Sequence, residues 1–239
     1  MSGRTRDELR HMRAAGRVVA EMHSDIRAAI KPGVSTIELD RVGRAVLERR
    51  GATSNFLGYH GYPAVICASP NDVIVHGIPG ETVLEEGDII SIDCGAVVEG
   101  WHGDAAFTAA VGEVVDDAAR LIEVTRQSMM SGIAAMVDGG RMGDIGHAVQ
   151  SVAEAAGYSV VREYVGHGIG QAMHERPEVP NYGVRGKGSK LKRGMTLALE
   201  PMVTVGSPET FLTEDGWTVV TADGSLAAHW EHTLSLIHI

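Results

Sequence analysis

Four stretches of this chain carry apolar residues at a helical period, and they come in two pairs with strand-like runs between and after them. The first stretch opens T-R-D-E, so Thr5 is placed to cap a helix and Glu8 to reach back, with Leu9, Met12, Val19, Met22 and Ile26 following on one face. After Pro32-Gly33, Ser35 and Glu38 repeat that pattern ahead of Leu39, Val42 and Val46, and Gly51 is placed to end the second helix. Residues 121–137 and 144–156 predict the second pair, which closes at Gly157. Sliding the chain by 106 residues puts Gly33 on Gly139, Glu38 on Asp144, Leu39 on Ile145, Val46 on Val152 and Gly51 on Gly157. That offset predicts one domain, 1–239, made of two related halves, about 1–110 and 111–233. Strand-like runs at 64–68, 88–98, 105–111, 159–165, 195–205 and 217–221 complete an α+β pattern, with helices on one face of a largely antiparallel sheet.

Composition excludes several classes. Apolar residues make up 44% and charged residues 22% of 239, the mixture of an ordinary globular domain with a sizeable core. Twenty-one Lys and Arg against 31 Asp and Glu leave a net charge of −10, which repels a phosphate backbone, so nucleic acid is not an expected ligand. Cys67 and Cys94 form no C-x-x-C pair and are too few for a disulfide framework, which points to a reducing compartment, the cytoplasm. The charged amino terminus and the lack of any run of about 18 apolar residues give neither an export nor a membrane signal.

Chemistry concentrates in one set of acids and a histidine. In I-D-C-G-A-V-V-E-G-W-H-G-D, Asp93 and Asp104 flank a turn near residues 98–100, and a hairpin there is expected to bring them nearly opposite one another. Directly opposed side chains have Cβ atoms about 4.5–5.5 Å apart, which suits carboxylates that share metal ions. Two buried like charges repel unless a cation holds both ionised. In V-G-H-G-I-G, the glycines around His167 leave its imidazole uncrowded and let the backbone approach a ligand; imidazole suits transition metals better than Mg or Ca. G-H-G-I-G lacks the spacing of a dinucleotide fingerprint. In T-L-A-L-E-P-M, Thr196, Ala198 and Glu200 turn to one face and Leu197 and Leu199 to the other, with Pro201 marking an edge or strand end. Glu231, in H-W-E-H-T, completes the set. Taken singly, these are turn aspartates, a loop histidine and a surface-strand glutamate. Together they supply four negative charges, which two divalent cations would neutralise.

The motifs I-D-x-G…H-G-D, H-G-I-G, L-x-L-E-P and W-E-H-T, in that order, resemble the ligand motifs of the bacterial type I methionine aminopeptidases, across about residues 6–233. The resemblance implies the pita-bread (creatinase/aminopeptidase) fold, two pseudo-symmetric halves with helices outside a curved sheet. It implies that Asp93, Asp104, His167, Glu200 and Glu231 hold two divalent ions of Mn, Fe, Co or Zn. It also gives His76, in V-H-G-I-P, a place near the substrate amine, and His174, in M-H-E-R-P, a place at the peptide carbonyl. Glu200 is expected to take the attacking water's proton and pass it to the leaving amine. His174 is expected to donate to the tetrahedral oxyanion. The family comparison selects Phe56, Tyr59, Tyr62, Cys67, Met173 and Trp217, with His76 and His174, for the substrate pocket; Met173 stands where an aromatic residue is expected, and Phe56 where relatives often carry Cys. A thioether packs well on aromatic edges. His60, His102 and His229 are expected to be structural. The substrate implied is the amino terminus of a peptide or nascent chain, with ribosome association and a monomeric state as further expectations.

Two rivals remain. A proline-specific enzyme, aminopeptidase P or prolidase, shares the ligand motifs but generally carries a large additional amino-terminal domain, whereas 75 residues precede His76 here. A catalytically inactive binding module of the same fold is expected to have lost a ligand, and none is missing. The long insertion of the type II enzymes has no room in the 26 positions from His174 to Glu200. The last six residues, 234–239, match a translated transposon-end adapter, so they are expected to be a non-native tail, with His238 no ligand.

Overall fold

The computed structural model describes residues 3–236. In chain order the elements are α1 (Arg6–Ala29), α2 (Thr36–Arg50), β1 (Thr53–Ser54), β2 (Ile66–Pro70), β3 (Val73–Val75), β4 (Ile89–Val98), β5 (Trp101–Ala110), α3 (Asp116–Ala135) and α4 (Met142–Ala155). Then follow β6 (Ser159–Val160), β7 (Gly166–Gly168), β8 (Glu175–Val179), β9 (Thr196–Leu199), β10 (Met202–Thr204), β11 (Thr210–Leu212), β12 (Val219–Thr221), β13 (Ala227–His229) and β14 (Glu231–Ser235).

The first helix pair begins and ends where its caps require. Thr5 N donates to Glu8 Oε2 at 2.6 Å and Glu8 N to Thr5 Oγ1 at 3.3 Å, so two amides left over by the first turn of α1 are satisfied reciprocally. Ser35 N donates to Glu38 Oε2 at 2.8 Å at the head of α2, and Gly51 ends that helix at φ +62°. The helix α3 starts five residues before the apolar period at Leu121, because Asp116 and Asp117 favour the positive end of its dipole. It stops at Ala135, two residues short of the expected end. Gly33 and Gly139, ahead of α2 and α4, have φ of +88° and +85°, and Gly157 closes the second pair at φ +89°.

Among the described residues every strand pairing is antiparallel. The main sheet runs β1-β4-β5-β14-β9-β7-β8, with β2 also paired to β4, and two three-stranded sheets run β13-β10-β6 and β11-β12-β3. Two expected strands are corrected. The run 195–205 is two strands in different sheets, broken at Glu200-Pro201. Pro201 has no N–H to continue the ladder, and the carbonyls at the break are taken up elsewhere, Glu200 O by Asn181 Nδ2 at 3.0 Å and Pro201 O by Trp230 N at 3.2 Å. The run 159–165 is strand only at Ser159–Val160, and its successor β7 belongs to the main sheet. At the carboxyl end Leu234 and Ser235 pair with Leu197 and Thr196 and Leu236 is buried; residues 237–239, His238 included, lie outside the described residues.

The main sheet has one apolar face and one polar face, as a pleat of period two dictates. On β4, Ile90, Ile92, Cys94 and Ala96 pack with Met22, Ile26, Leu39 and Val46 of α1 and α2. On β9 and β14, Leu197, Leu199 and Leu234 pack with Met129 of α3 and Ile145 and Val149 of α4. Four helices thus cover one side of the sheet, and the alternate residues of the same strands point the other way.

Candidate metal centre

Strand register alone puts the acids and the histidine on that second face. Asp93 pairs with Ala106, and Ala106 with Glu231; Thr233, two residues on, pairs with Ala198, and Ala198 with His167. Residues paired across a ladder share a face, so Asp93, Glu231 and His167 do, and Asp104, two residues before Ala106, joins them. Glu200 follows two residues after Ala198, just beyond the end of β9.

The hairpin differs from the expected register. Its turn is Glu99-Gly100, with φ of +50° and +78°, and no bulge follows, so Asp104 pairs with Gly95 and not with Asp93. The two aspartates are diagonal neighbours on one face, a separation of about 7–8 Å that carboxylate side chains span. A two-residue turn with both residues at positive φ matches the right-handed twist of the strands, which is why the chain takes this register.

Every residue that the sequence picks out for the site lines one cavity of about 190 Å³: Asp93, Asp104, His167, Glu200 and Glu231 at its floor, with Phe56, Tyr59, Tyr62, Cys67, His76, Met173, His174 and Trp217 around them. Val75, Tyr164, Val165 and Met202 also line it and were not picked out. Of these, Tyr164 had a usable signal, three residues before His167, and its ring stands edge-on to His76 at 5.8 Å. His60 rests on Tyr59 at 4.4 Å, and His102 Nδ1 meets Asn55 Oδ1 at 3.0 Å.

The floor fits cations and little else. Ligand atoms of Asp104, His167 and Glu231 all lie within 4.8 Å of one another, and all three residues are buried. Asp93 Oδ1, Asp104 Oδ1 and Glu231 Oε1 are buried with no protein hydrogen-bond partner. Loss of hydration pushes Asp93 up to about 7 and raises Asp104, Glu200 and Glu231 well above the usual carboxylate range, with mutual repulsion adding to the last three. Unpaired buried acids of this kind are costly unless protonated or bound to a positive ion.

His167 fixes the sense of the site. Its Nδ1 lies 2.9 Å from the Gly168 carbonyl, which only accepts, so Nδ1 carries the proton. Burial holds the ring's pKa down at about 4, so the ring is neutral at pH 7 and Nε2 offers a lone pair. That nitrogen faces Glu200 Oε1 at 3.4 Å, a pair that either a proton on Glu200 or a divalent cation between the two satisfies. The flanking glycines have a different cause from the one expected. A Cβ on Gly166 would sit 2.3 Å from the Ala198 carbonyl and one on Gly168 2.4 Å from that of Arg176, so it is the neighbouring strands that exclude a side chain. Gly166→Ala should therefore destabilise the fold by about 1–3 kcal/mol, read as a lower urea midpoint; an unchanged midpoint would show that the ladder yields without cost.

Around the floor, side chains are held in place. The Tyr59 hydroxyl is 2.8 Å from His174 Nδ1; donating there, it leaves the His174 proton on Nε2. His76 has φ +61°, unusual for a residue with a Cβ, and its ring is wedged edge-on to Tyr164 and, at 6.4 Å, to Trp217. Phe56, Tyr62, Ala64, Cys67 and Met173 form a buried apolar cluster flanked by Tyr59, Ile78 and Trp217. Tyr62 stands edge-on to Trp217 at 5.0 Å and to Phe56 at 6.4 Å, so the cluster presents aromatic edges and sulfur to the cavity.

Comparisons with known proteins agree with this geometry. Residues 10–236 match the model of metallopeptidase family M24. The chain is 52% identical over 240 residues to methionine aminopeptidase 1 of Mycobacterium tuberculosis, covering 98% of this chain and 90% of that one. It superposes on the crystal structure of methionine aminopeptidase from Rickettsia prowazekii with a TM-score of 0.98 at 42% identity, covering 99% of this chain and 96% of that one. Prolidase from Pyrococcus furiosus shares the fold, at a TM-score of 0.79 and 18% identity, but this chain covers 62% of its length. The fold is thus the pita-bread fold of those enzymes, and the chain belongs to metallopeptidase family M24.

Proposed function

We infer that the chain is a methionine aminopeptidase, a metal-dependent hydrolase that removes methionine from the amino terminus of peptides and nascent proteins. The observation that carries this reading is a row of metal-ligand side chains on the polar face of a sheet, opening into a pocket sized and lined for a thioether. Asp93, Asp104, His167, Glu200 and Glu231 would hold two divalent ions of Mn, Fe, Co or Zn, all of which tolerate mixed imidazole and carboxylate ligands. Such ions supply Lewis acidity, which makes water attack feasible at neutral pH and polarises the scissile carbonyl.

The chain's own residues supply the rest. Glu200 accepts the proton of the attacking water and returns it to the departing amine, a transfer open to a carboxylate that lies beside that water. His174, its proton held on Nε2 by Tyr59, donates to the oxygen that becomes negative. His76 lies near the substrate amine. Phe56, Tyr59, Tyr62, Cys67, Met173 and Trp217 take the methionine side chain. One catalytic domain of two related halves carries the site, and a monomer in the cytoplasm is the expected form. No helix among the described residues is long and apolar enough to cross a membrane. Association with ribosomes is the expected setting for nascent chains.

Methionine release from Met-Ala-Ser should stop when the ions are chelated and return when one metal is restored. Activity indifferent to chelation would end the metallopeptidase reading, and cleavage confined to Xaa-Pro bonds would move the substrate class to that of prolidase.

A further inference from the structure

His229, set aside as structural by its sequence context, occupies a position that packing alone does not explain. It is 2% exposed, and its Nε2 is a buried polar atom with no protein hydrogen-bond partner. That nitrogen points at Glu200, 3.9 Å from Oε2, while His167 Nε2 stands 3.4 Å from the other oxygen, Oε1. The Glu200 carboxylate therefore lies between two imidazole nitrogens, one facing each oxygen. His167 faces it with a lone pair, for the reason given by the Gly168 carbonyl. A second lone pair at His229 would leave Oε2 opposed by another acceptor, whereas an Nε2–H satisfies both groups.

The backbone of His229 is clamped to suit that task. Its N–H donates to Thr108 Oγ1 at 2.9 Å, and its carbonyl accepts from the same hydroxyl at 2.9 Å. Thr108 Oγ1 is in turn 2.8 Å from Ser91 Oγ. Thr108 lies four residues beyond Asp104 on β5, and Ser91 two residues before Asp93 on β4. One buried chain of hydroxyls thus locks the hairpin that carries both aspartates to the strand that carries His229.

We propose that His229 is a positioning residue for Glu200: its Nε2–H donates to Oε2, holding the carboxylate so that Oε1 is aimed at the cation site and at the water whose proton it takes. The 3.9 Å separation is longer than a hydrogen bond, so the Glu200 side chain, whose terminal torsion is soft, has to shift toward His229 when the site is loaded. Groups that hydrogen-bond to metal-ligating carboxylates typically change metal affinity or activity by about 10–100-fold when removed.

This inference rests on the aminopeptidase reading, and its test separates the two. His229→Gln keeps a donor at about the reach of Nε2; His229→Met has the same reach and no donor. With methionine release from Met-Ala-Ser as the assay, H229M should lower kcat by about 10–100-fold with KM little changed, while H229Q recovers most of the loss. Titration calorimetry with Mn2+ alone should show weakened binding in H229M and near wild-type binding in H229Q. Should H229M not fold, H229L supplies the donor-free arm. The proposal is overturned if the donor-free variant matches wild type in both kcat and Mn2+ affinity, or if the Gln and donor-free variants lose equally, which would make His229 a space-filler. A wild-type protein that binds Mn2+ but releases no methionine would instead fault the aminopeptidase reading and leave the calorimetric comparison standing.

Discussion

Glu200→Gln should leave a folded protein that releases methionine about 10²–10⁴-fold more slowly, the range a positioned proton-transfer group contributes. The amide keeps the shape of the carboxylate and can still accept a hydrogen bond, but it cannot hold a proton at neutral pH. Glu200 lies against His167 at 3.4 Å and is one of the five proposed ligands, so the comparison is made with metal at saturation. Thermal stability of the metal-free variant should hold or rise, since a neutral amide replaces a desolvated acid whose neighbours Asp93 and Asp104 repel its ionised form. Retention of wild-type kcat would remove Glu200 from the proton path; a fall in kcat that excess metal fully reverses would leave it a ligand only.

The second large effect is on stability and pH. Burial raises the pKa of Asp93 from 3.8 to about 7, and those of Asp104, Glu200 and Glu231 also rise well above their ordinary values. Below the unfolded-state values the acids are protonated in both states and weaken nothing. As pH rises, the unfolded chain gives up these protons first, the native state binds more of them, and stability falls with pH until the folded pKa values are passed. For Asp93 the loss is at most on the order of 4 kcal/mol, an upper bound because the side chain borders a solvent-reached cavity.

Buried histidines act the other way. His23, His76 and His167 are held near 4 and His229 near 3 by desolvation, so their contribution is present above about 6.5 and lost as pH falls. From about pH 7 to about pH 8 they are neutral in both states, and that window lies below the ordinary cysteine range of about 8.5 at which the unfolded chain ionises Cys67 and Cys94, whose thiols burial raises further in the folded protein. In that window the metal-free protein should melt at steadily lower temperature as pH rises. Saturating Mn2+ should raise the melting temperature and flatten the slope, because binding requires the ionised ligands and releases their protons. A metal-free melting temperature that is flat or rises across the window would mean that the acids are already paired within the protein.

Much of the architecture could be read directly from residue order. The caps at Thr5, Ser35 and Gly51 are local events, settled within three or four residues, and they appear where the sequence puts them. The alternation around Glu200 likewise survives folding, with Leu197 and Leu199 on the helices and Glu200 on the cavity. Errors came where a local pattern has two physical outcomes. Eleven alternating residues from 195 to 205 read as one strand, but a proline in their midst breaks the ladder and sends the chain into a second sheet. The hairpin was placed two residues out of register, because only the backbone conformation of Glu99 and Gly100 decides which residues pair.

Residue identity and short-range spacing thus settled the helix caps and the strand faces and picked out the acids and His167 as a candidate set, since each depends on neighbours a few positions away. The meeting of those groups was decided by tertiary structure. It depends on β14 slotting between β5 and β9, which sets Glu231 beside the Asp93–Asp104 hairpin on one side and, through Ala198, His167 on the other. Contacts between separate strands leave no trace in local pattern, and so the orphaned nitrogen of His229, facing Glu200 from a different sheet, became visible only in the folded chain.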